Sequence, residues 1–568
     1  MSREKEGKNG EKIERFHLGE LPLIKKLVDQ LGWKEILERH LPAHGNATVP
    51  PAAALMLLLY NIAGGRQPLY ELGEWVGRLD PKVYGERFRM GRNTINDDRF
   101  GRALDKLYEA DRATMMTEIV MAMAKAHRLD FSRVHNDSTT VKAYGRIPGT
   151  TRTGLKMAKG KSKDHRPDLK QLLYTLTVSA DGAVPVHYKT YAGNRTDDTT
   201  HIETWNTLAR IIGHPAFHYV ADCKVCTDKQ LSYIVGRGGR VTTIIPETWR
   251  EVKAFKDELK KKKKVRKIIW RRKIPGKEDQ EQQFEYFSCY QGRYRTEKRG
   301  YPYYWFYSSE KKKRDREQRM AALKHTERAL ADLGGKLNTG KLKTSPSIMA
   351  RVNEVLEEKK TKGFFHVALD TVQEKYLVQT GAGRPGTRTK FRTITKEIYT
   401  LSYTRRQQEL KTELKLDGIF PLLTTDANVT PKESLGAYKY QPRLEKRFNL
   451  LKSILGVAPL FFKKIERVEG IMFLFFLALM VQALIERKVR MNMKAHKIEA
   501  LPLYPEHRLS FHPTTAKIFD RFEGVSFYQI KQGAKVVRTM RDELSDLQRE
   551  ILNVFDLTEN EYWLKNPA

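Results

Sequence analysis

The sequence has only three cysteines in 568 residues, Cys223, Cys226 and Cys289. Three cysteines cannot build a disulfide framework, so we expect a reducing compartment. The first residues are charged and lack the apolar core of a signal peptide. The most apolar segment, residues 470–485, is shorter than the roughly 20 residues of a spanning helix. We therefore predict a buried helix packed on a sheet in a cytoplasmic protein, with a membrane contact as the alternative.

Acidic charge is also scarce relative to basic charge. Lys and Arg number 104 against 68 Asp and Glu, a formal net charge of +36. An excess of this size, spread along the chain, favours a polyanionic partner, most simply nucleic acid. No Gly-rich phosphate cradle is evident, because "GAGRPG" lacks the strand, Lys and helix context of a P-loop. The chain is too long for one hydrophobic core, so we expect three or four domains.

Residues 1–128 form the first predicted domain, helical from about residue 13 onward. The connections between its short helices are basic, with arginines at Arg87, Arg89, Arg92, Arg99 and Arg102. This pattern suits a helix-turn-helix-like DNA reader. A plain helical bundle fits the same pattern equally well.

The sequence pattern after residue 128 changes at three points. Residues 129–239 and 415–490 alternate strand-like and helix-like segments, which indicates a mixed α/β core in two parts. Between them, residues 240–414 interleave aromatic and basic residues, so we predict an inserted, largely antiparallel domain. Its aromatics could stack on bases or simply pack a sheet. Residues 491–568 are predicted to be helical, with no assigned chemistry.

Two aspartates in the α/β text are candidate metal ligands. Cleavage of a phosphodiester with divalent metals needs carboxylates that converge from separate elements on two ions roughly 3.5–4 Å apart. Asp137 lies inside the strand-like text "SRVHNDSTTV", although a turn aspartate is the alternative. Asp222 ends the strand-like "FHYVAD" before a helix, at the sheet edge where ligands bind in open α/β sheets. A simple helix cap is the alternative for Asp222.

A third acid stands in the basic stretch "YKYQPRLEKRFNLLK", residues 438–452. On a helix, Glu445 and Lys452 project within about 20° of each other, beside an apolar stripe of Leu444, Leu451 and Leu455. Glu445 would then lie at the edge of the buried face, where a sheet and a DNA backbone can meet. Pro442 argues against one helix running from Tyr438 through Glu445.

This stretch resembles the signature Tyr-x2-Arg-x3-Glu-x6-Lys of one large branch of bacterial insertion-sequence DDE transposases. Tyr438, Glu445 and Lys452 match, and Gln441 stands where the family usually has Arg. The texts "NDSTTV", "GKSKDHRPDLKQ", "YAGNRTDD" and "YVADCKV" are also similar to that group. The resemblance covers roughly residues 14–490.

The resemblance implies an α/β fold with an RNase H-like mixed-sheet core, interrupted by a β-rich insertion domain and preceded by an all-helical domain. It implies a catalytic triad that binds two Mg²⁺ (or Mn²⁺) ions, formed by Asp137, Asp222 and Glu445. It also implies residues that touch DNA near the cut: Tyr438, Gln441, Arg443 and Lys452. Because Gln441 departs from the signature, the contact usually made by Arg is weaker or comes from Arg443.

The implied substrate is double-stranded DNA, both the terminal inverted repeats of an element and its target. A metal-activated water nicks the end, and the freed 3′-OH attacks a second phosphodiester. Paired ends imply a homodimer in the DNA complex, in the bacterial cytoplasm at the nucleoid. Two other functions remain open: a non-catalytic, domesticated DNA-binding protein, and an RNase H-like nuclease that only hydrolyses.

Other acids and cysteines compete with this site. Cys223 and Cys226 with His214 and His218 could bind zinc, although buried core cysteines are the preferred interpretation. We interpret six further aspartates as members of turns or ion pairs: Asp164, Asp168, Asp181, Asp197, Asp198 and Asp426. Asp198 or Asp426 could still replace one member of the triad.

Overall fold

A computed structural model describes residues 11–45, 47–65, 67–80, 95–145, 147–164, 166–274, 284–457 and 462–564. Arg87, Arg89 and Arg92 of the predicted DNA reader lie outside these residues. The chain divides into two compact units, Met1–Thr243 with Leu435–Ala568, and Ile244–Ser434. That is fewer than the three or four expected, because the N-terminal helices and the C-terminal segments belong to one unit with the α/β core.

Fifteen strands are named in chain order among the described residues. They are β1 Glu11–His17, β2 Arg133–Ala143, β3 Lys170–Ser179, β4 Pro185–Ala192, β5 His218–Val220, β6 Arg240–Ile244, β7 Arg266–Lys273, β8 Phe284–Tyr290, β9 Tyr294–Arg295, β10 Pro302–Ser308, β11 Phe365–Gln379, β12 Phe391–Arg405, β13 Ile419–Thr424, β14 Ser526–Gln532 and β15 Lys535–Arg541.

The α-helices are α1 Leu21–Gln30, α2 Trp33–His40, α3 Pro51–Ala63, α4 Leu72–Gly77, α5 Asp97–Glu109, α6 Arg112–His127, α7 His201–Ile212, α8 Asp228–Val235, α9 Arg250–Lys261, α10 Ser309–Gly334, α11 Ser345–Glu358, α12 Gln407–Glu413, α13 Pro431–Tyr438, α14 Gln441–Asn449, α15 Ile465–Ala495, α16 Thr515–Asp520, α17 Asp546–Val554 and α18 Glu559–Tyr562. A π-helical segment, Leu450–Ile454, continues α14. Short 3₁₀ helices lie at Leu69–Glu71, Asp197–Thr199, Cys223–Val225 and Leu414–Leu416.

The first unit is organised around the long apolar helix α15. Phe473 and Phe476 contact the ring of Tyr188 on β4, so the helix packs on a sheet as predicted. On another side Gln482 donates a hydrogen bond to the Ala63 carbonyl at the end of α3. Within the described ranges, α15 is the one helix whose length and composition would suffice to cross a membrane, and its apolar stretch is fully buried inside the protein.

The sheet of the first unit mixes two pairing directions. Its strand order is β4-β3-β2-β5-β6. Strands β2, β3 and β4 pair antiparallel, whereas β5 pairs parallel with both β2 and β6. Helices α7 and α8 connect β4 to β5 and β5 to β6. The predicted mixed α/β class is confirmed.

The two ends of the chain are not all helical, which corrects the prediction for residues 1–128 and 491–568. Strand β1 pairs antiparallel with β14, and β14 pairs with β15, in a separate three-stranded sheet. Phe16 stacks on Phe527 across this sheet. Gly533, with a φ of 60°, permits the tight β14–β15 turn. Alternation in "SFYQIKQGAKVVRTM" signals this hairpin, but its third strand lies at the other end of the chain.

The second unit contains an antiparallel sheet in the order β13-β10-β8-β7, with β9 beside β10. Trp305 and Phe306 are fully buried, and Phe255 stacks on Trp305 with ring centroids 3.9 Å apart. These rings therefore pack the unit, and base stacking by them is not needed to explain their presence. Strands β11 and β12 form a separate two-stranded ribbon, and its base packs against helices α10 and α11.

Candidate active site

Asp137 stands on β2, and Asp222 follows the end of β5, the strand of the first unit that pairs parallel with β2. The β2–β5 register pairs Val134 with Tyr219 and His135 with Val220. Extending this register by two residues brings Asp137 level with Asp222. Asp137 thus belongs to a strand and not to a turn, and Asp222 follows the carboxyl end of β5 as predicted.

The Asp137 carboxylate already has close neighbours. Its Oδ1 accepts a hydrogen bond from the Ser138 amide at 2.7 Å and lies 3.6 Å from Lys163 Nζ. Lys163 Nζ also donates to the Ser138 carbonyl and hydroxyl, each at 2.7 Å. The Asp137 side chain keeps 21% of its surface exposed. A cation therefore covers one side of this carboxylate while solvent still reaches it.

The Asp222 carboxylate caps the 3₁₀ helix that follows β5. Its Oδ1 accepts a hydrogen bond from the Lys224 amide at 3.0 Å, so the cap interpretation also holds. The side chain is 39% exposed, and His201 Nε2 lies 3.9 Å from Oδ1. His201 Nδ1 lies 3.0 Å from the Tyr219 hydroxyl. Burial raises the pKa of Tyr219 well above its ordinary value, and the charges of Tyr191, Asp222 and Asp137 add to that rise.

Helix α14 is pinned to the sheet beside Asp137. Gln441 at its start donates a hydrogen bond from Nε2 to the Asn136 carbonyl at 3.1 Å. The buried Arg447 guanidinium donates to the carbonyls of Ala183 and Gly182 and pairs with Glu486 at 2.9 Å. The helix begins at Gln441 with Pro442 in its first turn, so it is separate from α13 as the proline predicted.

Glu445 lies on the exposed edge of this helix, between two anchors. Gln441, one turn earlier, bonds the residue before Asp137. Lys452 in the π-helical segment contacts Asp164, the residue after Lys163, at 2.7 Å. Gln441 thus holds the start of the helix beside β2, while Lys452 is tied to the segment that carries Lys163. The predicted apolar stripe is confirmed, with Leu444, Leu451 and Leu455 buried.

The three carboxylates do not form a ready ligand cluster. Among the described residues, no group of three Asp, Glu, His or Cys side chains is close enough to hold one metal ion. Asp137 and Asp222 are instead engaged with Lys163, the Ser138 amide and the Lys224 amide, and Glu445 is exposed. The donor chemistry fits Mg²⁺, which prefers carboxylates supplemented by water and phosphate oxygens.

Some of the residues predicted to touch DNA make contacts within the protein, and others are exposed. Gln441 and Lys452 make the internal contacts given above, and Tyr438 lies in α13, partly exposed. Arg443 is exposed, with its guanidinium 4.7 Å from the centre of the Tyr440 ring. Arg443 is therefore the cation of this set that can reach a ligand without breaking a hydrogen bond or an ion pair.

Sequence reasoning missed Lys163 and His201. Lys163 is one lysine among many, and nothing in its segment, "GKSKDHRPDLKQ", predicts a contact with Asp137. His201 begins α7 and is nearly buried beside Asp222, a position that only the tertiary structure reveals.

The competing acids are mostly paired, as interpreted. Asp164 contacts Lys452 and Lys142, Asp168 contacts Arg166, and Asp181 contacts Arg487. Asp198 remains relevant, because Gln230 Nε2 donates to its carbonyl at 2.7 Å and to the Lys224 carbonyl at 3.4 Å, next to Asp222.

Asp426 and the cysteines have other local roles. Asp426 lies in the second unit, where its Oδ1 accepts from the Asn428 amide in a turn. Cys226 is buried and Cys223 partly so, and both are free thiols. His218 Nε2 lies 2.7 Å from the Thr242 hydroxyl, so this nitrogen already has a partner other than a thiol.

Comparisons with known proteins leave the family open. A family model described as "Domain of unknown function (DUF4277)" matches residues 13–121. No curated protein matches the sequence. Among solved structures, a piggyBac transposase synaptic complex with hairpin DNA, determined by cryo-EM, aligns with a TM-score of 0.31 and 8% identity, over 97% of this chain and 81% of that chain. A likeness at this level carries no argument about fold or activity.

Proposed function

We propose that the protein is a DNA transposase of the DDE type, which cuts element ends and joins them to target DNA with divalent metal ions. The observation that carries the proposal is that Asp137 on β2 and Asp222, two residues after the parallel strand β5, fall level when the β2–β5 register is extended. Helix α14, which carries Glu445, is bonded to β2 through Gln441. Phosphodiester cleavage with two metals requires acids that converge from separate elements, and these three acids stand on three separate elements of one unit.

The strand order supports an RNase H-like core. Three antiparallel strands, β4-β3-β2, continue into β5 and β6, which run parallel to β2. Asp137 lies on β2, Asp222 follows β5, and Glu445 lies on the later helix α14. The unit Ile244–Ser434 lies in sequence between Asp222 and Glu445. This agrees with the insertion that the signature stretch implies.

Mg²⁺ or Mn²⁺ would be held by Asp137, Asp222 and Glu445. Such ions supply an activated water and a polarised scissile phosphate when bound. Lys163 would leave Asp137 as a metal arrives, because the ammonium occupies one side of that carboxylate. Its flexible stem then lets the ammonium contact a DNA phosphate beside the cut. The Tyr219 hydroxyl would hold the His201 ring through Nδ1, so that His201 Nε2 faces Asp222 and fixes its position.

The DNA backbone would lie along the exposed side of α14. Gln441 is committed to the Asn136 carbonyl, so it positions the helix and leaves the phosphate contact to Arg443. Tyr438 and Lys452 flank the same surface. The net charge of +36 supplies the general attraction to DNA.

Two other functions use the same surface. A domesticated, non-catalytic DNA-binding protein would not need all three acids, and all three are present. A nuclease that only hydrolyses would keep the triad and yield nicked DNA without joined products.

The test incubates the purified protein with Mg²⁺ and DNA that carries the ends flanking its gene, and compares wild type with Glu445→Gln. Glu409→Gln, the same change at an exposed helical position of the other unit, is the matched control. We expect wild type and Glu409→Gln to cut and join, and Glu445→Gln to bind without doing either. Equal cutting by Glu445→Gln would remove it from the site and make Asp198 the next candidate. Cutting without joined products would favour the nuclease.

A further inference from the structure

The β11–β12 ribbon is an exposed projection of the second unit. Its two strands of 15 residues pair in one continuous antiparallel register from Phe365–Arg405 to Gln379–Phe391. At about 3.3 Å per residue each strand extends roughly 50 Å. Residues 371–378 and 380–388 are all exposed, so both faces of the distal ribbon meet solvent.

The root of the ribbon is firmly held. Phe365 and Tyr399 are buried in a hydrophobic cluster with helices α10 and α11. Asn338 bonds both backbone groups of Tyr399, at 3.0 and 2.9 Å. Arg405 pairs with Glu327 through two hydrogen bonds of 2.7 Å. A rigid root allows an isolated two-stranded ribbon, which is marginal alone in water, to keep its shape.

The ribbon tip, residues 375–396, carries charge of one sign. It contains six cations and no Asp or Glu: Lys375, Arg384, Arg388, Lys390, Arg392 and Lys396. Within the described part of the chain, none of the six side chains makes a hydrogen bond or ion pair. Structural ion pairing therefore does not account for five of these charges, and the sixth, Lys396, stands opposite Glu374 in the strand register.

We propose that the ribbon tip is a DNA-binding arm that lies in a groove of double-stranded DNA and holds phosphates through its cations. The major groove, about 12 Å wide, admits a two-stranded ribbon. Unpaired Arg and Lys on such a ribbon complement the phosphates on both groove walls. The inference rests on the proposed function for its ligand, DNA, and adds where the second unit binds it.

The test measures how the affinity for a short fluorescent DNA duplex depends on salt between about 50 and 200 mM. The tip variant Arg384→Gln/Arg388→Gln/Lys390→Gln is compared with a control, Lys341→Gln/Lys343→Gln/Lys359→Gln. The control removes equal charge from exposed positions of the same unit. Each lost phosphate contact lowers the slope of log K against log salt by about 0.9, so we expect the tip variant to lose about 2–3 and the control less than about 1.

A charge-retaining variant, Arg384→Lys/Arg388→Lys, should keep the wild-type slope. Equal slopes for the tip and control variants would overturn the inference. A tip variant that binds DNA normally but loses its dimer mass in solution would also overturn it and assign the ribbon to self-association. If wild type cuts its ends in a Glu445-dependent way while the slopes are equal, the ribbon inference alone fails. If wild type does not bind duplex at all, the proposed function fails as well.

Discussion

The cations near Asp137 and those on the ribbon tip are used in opposite ways. Lys163 contacts Asp137, while Lys142 and Lys452 contact Asp164. The ribbon tip has six cations and no acid. Paired charges fix the geometry of a site at short range, whereas unpaired exposed charges attract a polyanion and respond strongly to salt. The two proposals place the chemistry in the first unit and most of the salt-dependent DNA capture on the ribbon tip, and variants should separate them.

The largest expected effect follows from Asp222→Asn. This change removes a charge that we propose to bind a metal, and it hardly alters side-chain size. Since a catalytic metal supplies several kcal/mol of transition-state stabilisation, cutting should fall by about 10³-fold or more. Duplex affinity should stay within a few-fold, because the ribbon is untouched. Cutting and duplex affinity are measured on the same preparation. If Asp222→Asn loses both to the same extent, the two regions do not have separate roles.

Arg447→Met tests whether pairing near the site is structural. The guanidinium is buried with Glu486, and its removal leaves that acid with Arg490 at 3.3 Å as its remaining ion partner and leaves the Gly182 and Ala183 carbonyls without their donor. Breaking a buried pair costs about 3–5 kcal/mol. Arg388→Met on the ribbon tip should change the free energy of unfolding by less than about 0.5 kcal/mol. Urea denaturation followed by tryptophan fluorescence compares the two, and similar costs would contradict the contrast.

His135 allows a pH-dependent test of how the buried core beside the site contributes to stability. It is fully buried on β2, stacked on Tyr440, and burial lowers its pKa to about 3. The unfolded chain takes up the proton near pH 6.5, so this site loses stability as pH falls below 6.5. Relative to His135→Phe, wild type should lose about 2 kcal/mol between pH 7 and pH 5. Thermal unfolding at both pH values measures this, and parallel curves would show that His135 does not titrate as described.

The smallest effect is expected for Gln441→Ala. It removes the hydrogen bond to the Asn136 carbonyl, worth about 1 kcal/mol, and loosens the start of α14. Cutting should fall by up to about tenfold with little change in DNA affinity. Lys446→Ala, on the exposed side of the same helix, is the control. A larger effect from Lys446→Ala would mean that Gln441 does not position the helix.

Local patterns predicted much of the fold. The strand around Asp137, the strand end at Asp222 and the buried helix α15 follow from residue spacing and hydropathy. Each of these features is decided by neighbours in sequence.

Nonlocal features escaped prediction. Strand β1 pairs with β14 at the far end of the chain, and no short-range pattern specifies that partner. Lys163 is found beside Asp137 only because the segment that carries it folds back over β2. The merging of both chain ends with the α/β core into one unit likewise depends on packing around α15. These outcomes depend on tertiary contacts, which composition and periodicity do not encode.

The most direct test of the central claim is Mn²⁺ binding in the presence of DNA, followed by electron paramagnetic resonance. Wild type is compared with Asp137→Asn, Asp222→Asn, Glu445→Gln and the control Glu409→Gln. If the three acids form one site, each of the first three variants loses tightly bound Mn²⁺ while still binding DNA, and Glu409→Gln does not. Unchanged Mn²⁺ binding in Glu445→Gln, with normal DNA binding, would contradict a site that includes the helix.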